Sequence, residues 1–198
     1  MKLEKTLLKT ITKKQVYKTS FTDIVKRFDK KLFDFNPVEK AFEIEKYFLE
    51  GGQVTVTKKL LSDNLVSKNW LREYKTIKGK IKFDFKGLYV FVHDKTPIYV
   101  GISKGVIGRT LQHLKGHSHN TSTLAYNIGR IRYEILNGER YIGGRKEFDF
   151  KAEVTPAKKF LLKQKIAFLP ILNDEELYLF EVYCAMQLQC WLNKFETH

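Results

Sequence analysis

The sequence contains few cysteines and no long hydrophobic run, and each absence excludes a class of protein. Cys184 and Cys190 are the only two cysteines among 198 residues, so neither a disulfide framework nor a metal site built on cysteine pairs is expected. No run approaches the roughly 18 to 20 consecutive apolar residues that a membrane span needs. The charged start of the chain, residues 1–5, is not followed by a continuous apolar segment, which argues against a signal peptide. We therefore expect no membrane association and a reducing, cytoplasmic setting.

Acidic residues are scarce relative to basic ones. The chain has 36 Lys and Arg against 22 Asp and Glu, a formal net charge of +14. Residues 1–80 carry an excess of nine basic residues, and residues 81–198 an excess of five. Such a balance favours a polyanionic partner, because each Lys or Arg placed on a phosphate releases condensed counterions. Solubility is the simpler interpretation, and charge alone does not separate DNA from RNA or from a membrane surface.

Residues 1–80 have the pattern of a basic, mainly helical region. Short helices are predicted near Ser20, from Pro37 to about residue 50, and after Ser62. The last of these would carry Trp70 within a basic face, which could enter a groove or follow phosphates, so this region is a candidate DNA-contacting module. A tryptophan in the core among solvated lysines is the commoner arrangement.

Residues 81–198 have the pattern of an α+β domain. The apolar segment Gly87–His93 and residues 97–102 flank a short turn, which predicts an antiparallel hairpin. Residues 165–172 predict a third, mostly buried strand. The charged stretch at about 132–164 contains glycine and proline breakers and is expected to be an insertion over the sheet. We therefore predict a small, three-stranded, mainly antiparallel sheet flanked by helices, preceded by the basic N-terminal region.

Polar side chains recur on the predicted hairpin and on the helix that follows it. Tyr89 and Tyr99 are expected near each other on one sheet face, although a buried structural pair is the commoner arrangement for tyrosines in strands. In the helix, Arg109 and His113 stand four residues apart in the sequence and therefore share a face. A guanidinium and an imidazole beside two phenols indicate a polar site on an apolar scaffold.

Glu181 is unusual on the last predicted helix. Its neighbours three and four positions away are Leu177, Tyr178, Cys184 and Ala185, on the face that should meet the core. A carboxylate in such surroundings is costly unless it is paired, protonated or bound to a metal. An exposed helix edge is the alternative.

Two triplets on the hairpin resemble the signature of the GIY-YIG nucleases. Gly87-Leu88-Tyr89 and Tyr99-Val100-Gly101 are similar to the two halves that name the family, with leucine and valine standing where the name has isoleucine. These changes keep apolar strand residues. The resemblance covers about residues 85–198, is interrupted at 132–164, and does not extend to the N-terminal region.

Further residues match the family in chain order. Arg109 and His113 have the family's Arg-x-x-x-His spacing, and Glu181 falls where the family has its metal-binding glutamate. Asn193 falls where an asparagine often stands. Lys104 corresponds only approximately to a polar position that some members use after the second triplet.

The resemblance implies hydrolysis of a DNA phosphodiester with one divalent cation. Glu181 would hold Mg²⁺, for which Mn²⁺ can substitute, through oxygen. Tyr89 would be the general base or would orient the attacking water, which requires nearby cations to lower a phenol pKa from about 10. Arg109 would neutralise charge on the phosphoryl oxygens.

The remaining residues would have supporting roles. His113 and Tyr99 would position the water or Tyr89, and Lys104 could assist them. Asn193 could belong to the site or equally be a C-terminal helix cap.

The leading hypothesis is thus a metal-dependent endonuclease acting on double-stranded DNA, of a restriction-type, mobile-element or DNA-repair-like kind. The alternative is a module that binds nucleic acid, keeps the fold and performs no chemistry. A third interpretation, binding to RNA or ribonucleoprotein, depends on charge alone. Nucleases that make staggered double-strand cuts with one site per chain commonly dimerise, so a homodimer is compatible with this function, but no stretch identifies an interface.

Overall fold

The computed structural model describes residues 20–75, 81–118 and 122–193. The strands in these parts are β1 (Phe42–Glu43), β2 (Leu49–Glu50), β3 (Gln53–Val54), β4 (Arg72–Lys75), β5 (Ile81–Asp84), β6 (Gly87–His93), β7 (Thr96–Ser103) and β8 (Lys165–Pro170). The helices are α1 (Phe21–Val25), α2 (Phe28–Phe35), α3 (Pro37–Lys40), α4 (Ile44–Phe48), α5 (Lys59–Ser62), α6 (Val106–Lys115), α7 (Thr123–Asn137), α8 (Thr155–Leu162) and α9 (Asp174–Gln187). A 3-10 turn spans Lys68–Trp70, and one turn of π-helix spans Phe150–Val154.

The central sheet has the order β1-β8-β6-β7, and every pairing in it is antiparallel. Strand β6 lies in its interior because its residues are apolar on both faces, and Gly87 to Val92 are all buried. The predicted α+β class and the β6–β7 hairpin are confirmed. The prediction of three strands is wrong by one, since β1 adds a fourth. A strand of two residues is too short to show an alternating pattern, and it is defined only by the pairing of Phe42 with Ile166 and of Glu43 with Lys165 on β8.

Each face of the sheet is covered by its own hydrophobic core. Tyr89 and Phe91 point into one core, which is completed by α4 and α6 to α8. Leu88, Val90 and Val92 point into the other, which is completed by α1, α2 and α9. This alternation along β6 is the period of two that any strand has. Consecutive residues of one strand therefore serve two different helical layers.

The N-terminal region contributes to both cores. Phe28 packs edge-on against Phe180 of α9, with 5.0 Å between ring centroids, and Phe42 packs against Phe168 of β8 at 5.2 Å. The boundary expected near residue 80 falls in the segment 76–80, between β4 and β5, which lies outside the described residues.

The helix predicted near Ser20 is present, and the Ser20 side chain accepts a hydrogen bond from the backbone N–H of Asp23. The helix predicted from Pro37 is interrupted, because Phe42 leaves it to pair with β8. No long helix follows Ser62: only the short 3-10 turn forms there, and Trp70 packs against Phe85 at 5.5 Å between centroids. In both segments, tertiary contacts override the local helical spacing.

The segment that was expected to be an insertion contributes residues to the core. Within the expected insertion at 132–164, four residues are buried in the first core: Phe148, Val154, Ala157 and Leu161.

Among the residues that the structure describes, no helix is long and apolar enough to cross a membrane.

Candidate active site

The β6–β7 hairpin brings Tyr89 and Tyr99 to the same face of the sheet. Tyr89 stands opposite Gly101, and Phe91 stands opposite Tyr99, so the two tyrosines are diagonal neighbours with 6.2 Å between ring centroids. The Tyr89 ring lies across Gly101, where an added Cβ would fall 2.5 Å from its hydroxyl. Glycine is therefore required at position 101 by the close approach of this ring.

Helix α6 is held against the sheet by Asp84, which precedes the hairpin. Its Oδ1 accepts a hydrogen bond from the backbone N–H of Ile107, and its Oδ2 accepts one from Gly108, each at 2.8 Å. A carboxylate at this end also interacts favourably with the helix dipole. Gly105, the residue before the helix, has no side chain to cap it. Asp84 supplies the missing cap from a distant strand and so fixes the start of the helix that carries Arg109 and His113.

Sequence reasoning missed this role of Asp84. In the sequence, Asp84 is one of the polar residues that alternate with Ile81, Phe83 and Phe85, and nothing near it indicates a contact with a helix more than twenty residues later. A usable signal is the absence of Ser, Thr, Asp or Asn at the start of α6, which means that a cap must come from elsewhere.

Tyr89 and His113 form a buried hydrogen-bonded pair. The Tyr89 hydroxyl lies 2.8 Å from Nε2 of His113. Burial, assisted by the positive charge of Arg109, lowers the pKa of His113 to about 3, so its imidazole is neutral near pH 7. Nδ1 of His113 is buried and has no hydrogen-bond partner among the described residues. The pair is therefore a neutral phenol against a neutral imidazole.

The electrostatic surroundings disfavour ionisation of both tyrosines. Burial, with a further contribution from Tyr99, raises the pKa of Tyr89 well above its usual value of 10, although Arg109 acts in the opposite direction. Burial and the nearby Glu181 carboxylate likewise raise the pKa of Tyr99. The requirement that neighbouring cations lower the phenol pKa of Tyr89 is not met, because the cost of desolvating a phenolate exceeds the effect of Arg109.

Accessibility divides the candidate residues into two sets. Tyr89 is 1% exposed and His113 is 0% exposed. Tyr99 and Arg109 are only half-buried, and Lys104 is exposed. Solvent therefore reaches Tyr99, Arg109 and Lys104, whereas the Tyr89–His113 pair is enclosed in the core.

Arg109 is the cation common to this cluster. Its charge lowers the pKa values of Tyr89, Tyr99 and His113. Its Nη1 donates a hydrogen bond to Oε1 of Gln112 at 3.0 Å, one turn further along α6. Arg109 thus lies between the buried pair and the solvent.

Glu181 joins the cluster from the opposite layer of the protein. Helix α9 packs on the other face of the sheet, and the backbone of Ile102, on the edge strand β7, lies close enough to the Glu181 carboxylate to oppose the rise in its pKa. It is half-buried, and burial raises its pKa to about 7. Its charge in turn raises the pKa values of Tyr99 and Tyr89. Glu181 was considered either as a carboxylate on the core-facing side of its helix or as one at an exposed helix edge. Each interpretation applies in part, because Glu181 lies at a helix edge that is only partly exposed.

Asn193 lies farther along the same edge of the sheet. Its side-chain Oδ1 accepts from the backbone N–H of Val100 at 2.8 Å, and its Nδ2 donates to the Val100 carbonyl at 2.7 Å. The backbone N–H of Leu192 donates to the carbonyl of Ile98 at 3.3 Å. The amide thus imitates a neighbouring strand and covers the free edge of β7. Helix α9 has already ended at Gln187, so this contact differs from a helix cap.

A basic cleft of about 500 Å³ opens beside Arg109. Four of its lining residues are cations: Arg72, Lys86, Lys104 and Arg109. Lys86 forms an ion pair with Asp174 at 2.8 Å. Lys104 is exposed on the loop after β7 and lines this cleft with Arg109. The cleft can therefore attract an anionic group to Arg109.

The acidic groups suit only one kind of metal site. Within the described ranges, no set of three His, Cys, Asp or Glu residues is arranged to hold a metal ion. Mg²⁺ keeps several waters and is commonly bound by one or two carboxylates together with substrate phosphates. Glu181, a half-buried carboxylate whose ionisation is disfavoured by burial, fits this shared kind of site. It does not fit a metal site closed by protein ligands alone.

Comparison with known proteins adds no relative. No family model, no curated protein and no solved structure matches the chain.

Proposed function

We propose that the protein is a metal-dependent DNA endonuclease of the GIY-YIG type that hydrolyses phosphodiester bonds in double-stranded DNA. The observation that carries this proposal is the meeting of three chain segments in one cluster, of which Arg109 also lines the basic cleft. They contribute the Tyr89–Tyr99 pair, the Arg109–His113 pair and Glu181. A purely structural role at the edge of the sheet would not require phenols, a guanidinium and a partly buried carboxylate together.

Arg109 has the geometry of a phosphate ligand. It is half-buried, lines the cleft, and carries a charge that lowers the pKa values of Tyr89, Tyr99 and His113. A guanidinium in such a site neutralises the phosphoryl oxygens as charge develops on them. Lys104, exposed on the same cleft, would hold a neighbouring phosphate.

The two tyrosines have different tasks in this proposal. Tyr99 has access to solvent, and its hydroxyl would orient the attacking water. Tyr89 is buried with a raised pKa and is a poor general base near neutral pH. It would instead be a positioning residue that, with His113, fixes the ring of Tyr99 and the guanidinium of Arg109.

Glu181 would hold the divalent cation, together with water and the substrate phosphate. The cation, when bound, polarises the scissile phosphate and stabilises the leaving oxygen. Because burial raises the pKa of Glu181 to about 7, this carboxylate must lose its proton to bind the cation. Cation binding is therefore expected to strengthen as the pH rises through this value.

Incubation with supercoiled plasmid and Mg²⁺ or Mn²⁺ tests the proposal. The wild type should nick or linearise the plasmid, and Glu181→Gln should not. Glu175→Gln is the matched control, because it is the same substitution on the first turn of the same helix. No cleavage by the wild type with either metal, or equal cleavage by Glu181→Gln, would contradict the proposed chemistry.

Arg109→Ala separates catalysis from docking. Loss of one transition-state contact typically costs on the order of 3 kcal/mol, or about a hundredfold in rate, while most binding is retained. Arg140→Ala, in the exposed loop after α7, is the control for loss of one positive charge. If binding falls in proportion to cleavage, Arg109 serves to dock the DNA instead.

A nucleic-acid-binding module without catalysis is the second candidate. It is favoured by the burial of Tyr89 and His113, which a purely structural hydrogen bond also explains. Such a module would bind DNA with a strong dependence on salt and show no cleavage with any divalent cation. Its Glu181→Gln variant would bind DNA as well as the wild type does.

A further inference from the structure

A second cavity, of about 330 Å³, lies next to the basic cleft. We propose that it takes one unstacked nucleobase of the DNA substrate while the adjoining phosphate lies in the cleft. This inference rests on the proposed function. Most of its wall is apolar and includes Leu60, Leu61, Leu71, Phe83, Ile107 and Leu111.

One helix separates the two spaces. Ile107 and Leu111 of α6 line the apolar pocket, whereas Arg109 and Gln112 of the same helix line the basic cleft. Gly108 lines both, as does Asp84. Because Gly108 has no side chain, nothing projects between the two spaces at that position. An anionic group bound at Arg109 would therefore lie on the same turn of α6 that lines the pocket.

Phe83 makes the pocket suitable for a flat aromatic group. It is 59% exposed and lines the open pocket. Bases stack on exposed aromatic side chains when they leave the helix, and apolar side chains complete the pocket around them. Leu61 is also exposed in this wall. A base stacked on Phe83 would cover this exposed apolar surface.

A polar group is also present in the wall. Thr57 is 6% exposed, and its hydroxyl is buried without a hydrogen-bond partner among the described residues. A buried polar atom left unsatisfied is costly, and binding sites commonly contain a few such atoms within apolar walls. The polar edge of a base would supply the missing partner.

Charge complementarity selects a nucleotide over an apolar ligand. Arg72, Lys86, Lys104 and Arg109 line the adjoining cleft, and the one carboxylate among its described lining residues, Asp84, is bound to backbone N–H groups. The preferred occupant therefore joins a flat apolar part to an anion. A nucleotide unit of DNA has this composition. Extraction of the base from a duplex costs least where it is mismatched, damaged or unpaired. The inferred substrate is therefore DNA with an unpaired base beside the phosphate to be cut.

Binding to duplexes with one bulged base and to fully paired duplexes tests this inference. Affinities are measured without divalent cation, and cleavage positions are mapped after Mg²⁺ or Mn²⁺ is added. The wild type should prefer the bulged duplex by about tenfold or more, because the cost of unstacking is avoided. Cleavage should fall next to the bulge. Equal affinity for the two duplexes would overturn the inference.

Variants that fill the pocket provide the second arm. Leu111→Trp should reduce the preference for bulged DNA to near onefold while leaving affinity for paired DNA unchanged. Leu61→Trp, at a more exposed part of the wall, tests the same point if the first variant is unstable. Ile135→Trp is the control, because this residue is exposed on α7 and lies outside both cavities. Retention of the preference in both pocket variants would overturn the inference.

The results also separate this inference from the proposed nuclease activity. Cleavage of plasmid without a preference for bulged DNA would support the nuclease activity and exclude the base pocket. The opposite result is a preference for bulged DNA that is lost in Leu111→Trp or Leu61→Trp, with no cleavage in the presence of either metal. It would support the base pocket and exclude the nuclease activity. Thr57→Val should alter the ranking of the four bases at the bulge, which a purely structural hydroxyl would not do.

Discussion

Replacing Glu181 with glutamine should stabilise the metal-free protein at pH 8 and have little effect at pH 4. Burial raises the pKa of this carboxyl from 4.5 to about 7 in the folded protein. The folded state thus holds the proton more tightly than the unfolded chain. The resulting stability is fully present below about pH 4.5 and is lost as the pH rises through about 7. Glutamine cannot ionise and should not show this loss.

The size of the effect follows from the same values. A pKa displaced from 4.5 to about 7 corresponds to at most about 3 kcal/mol of unfolding free energy at pH 8. Because Glu181 is only half-buried, solvent screening should reduce this to about 1 to 2 kcal/mol. Neutral glutamine should therefore recover about that amount at pH 8.

Guanidinium denaturation of both proteins from pH 4 to pH 8.5 measures this difference. The comparison is needed because His113, whose pKa is lowered to about 3, has the opposite pH dependence: its contribution is present above about pH 6.5 and is lost as the pH falls. Effects common to both proteins cancel. A difference in unfolding free energy that does not change with pH would refute the argument.

Addition of Mg²⁺ at pH 8 extends the same assay to the proposed cation. A cation that binds only the folded state should stabilise the wild type, since it removes the penalty of an ionised, partly buried carboxylate. Glu181→Gln should gain less, and Glu175→Gln should behave as the wild type. Equal gains in all three proteins would show that the cation binds elsewhere.

Three further predictions concern the scaffold, and each is measured as unfolding free energy. Asp84→Ala removes the acceptor for two backbone N–H groups at the start of α6 and should cost about 2 to 3 kcal/mol, with partial recovery in Asp84→Asn; an unchanged midpoint would contradict this. Asn193→Ala uncovers Val100 on the edge of β7 and should cost about 1 to 2 kcal/mol, whereas an equal stability would mean that water replaces the amide fully. Gly101→Ala sets a methyl group against the Tyr89 ring and should cost about 1 to 3 kcal/mol, unless the ring can move aside without loss.

Several elements followed directly from local sequence. Strand β6 was recognised because it is apolar on both faces, and β7 because it returns after a short turn. Helix α9 begins where Asn173 precedes three acidic residues, and the Asn173 side chain accepts a hydrogen bond from the backbone N–H of Glu176 at 2.6 Å. In these segments the residues that define the element are close together in the chain, so propensity and periodicity are sufficient.

Other elements depended on partners distant in sequence. Phe42 belongs to a strand only because Ile166 lies beside it, and Asp84 caps a helix only because the chain returns to it. Trp70 follows a segment with helical spacing, yet it packs on Phe85 and the segment does not form a long helix. These outcomes are decided by contacts whose energy exceeds the small differences in local propensity.

The amino-acid sequence by itself determined which chemical groups are available: two phenols on a hairpin, a guanidinium and an imidazole four residues apart in the chain, and one carboxylate on the last helix. Only the tertiary structure decided which of them meet solvent. Tyr89 and His113 are enclosed between the sheet and α6, whereas Glu181 reaches the cluster from the other layer at the edge of β7. The physical reason is that ionisation and access depend on burial, and burial is set by elements that are remote along the chain.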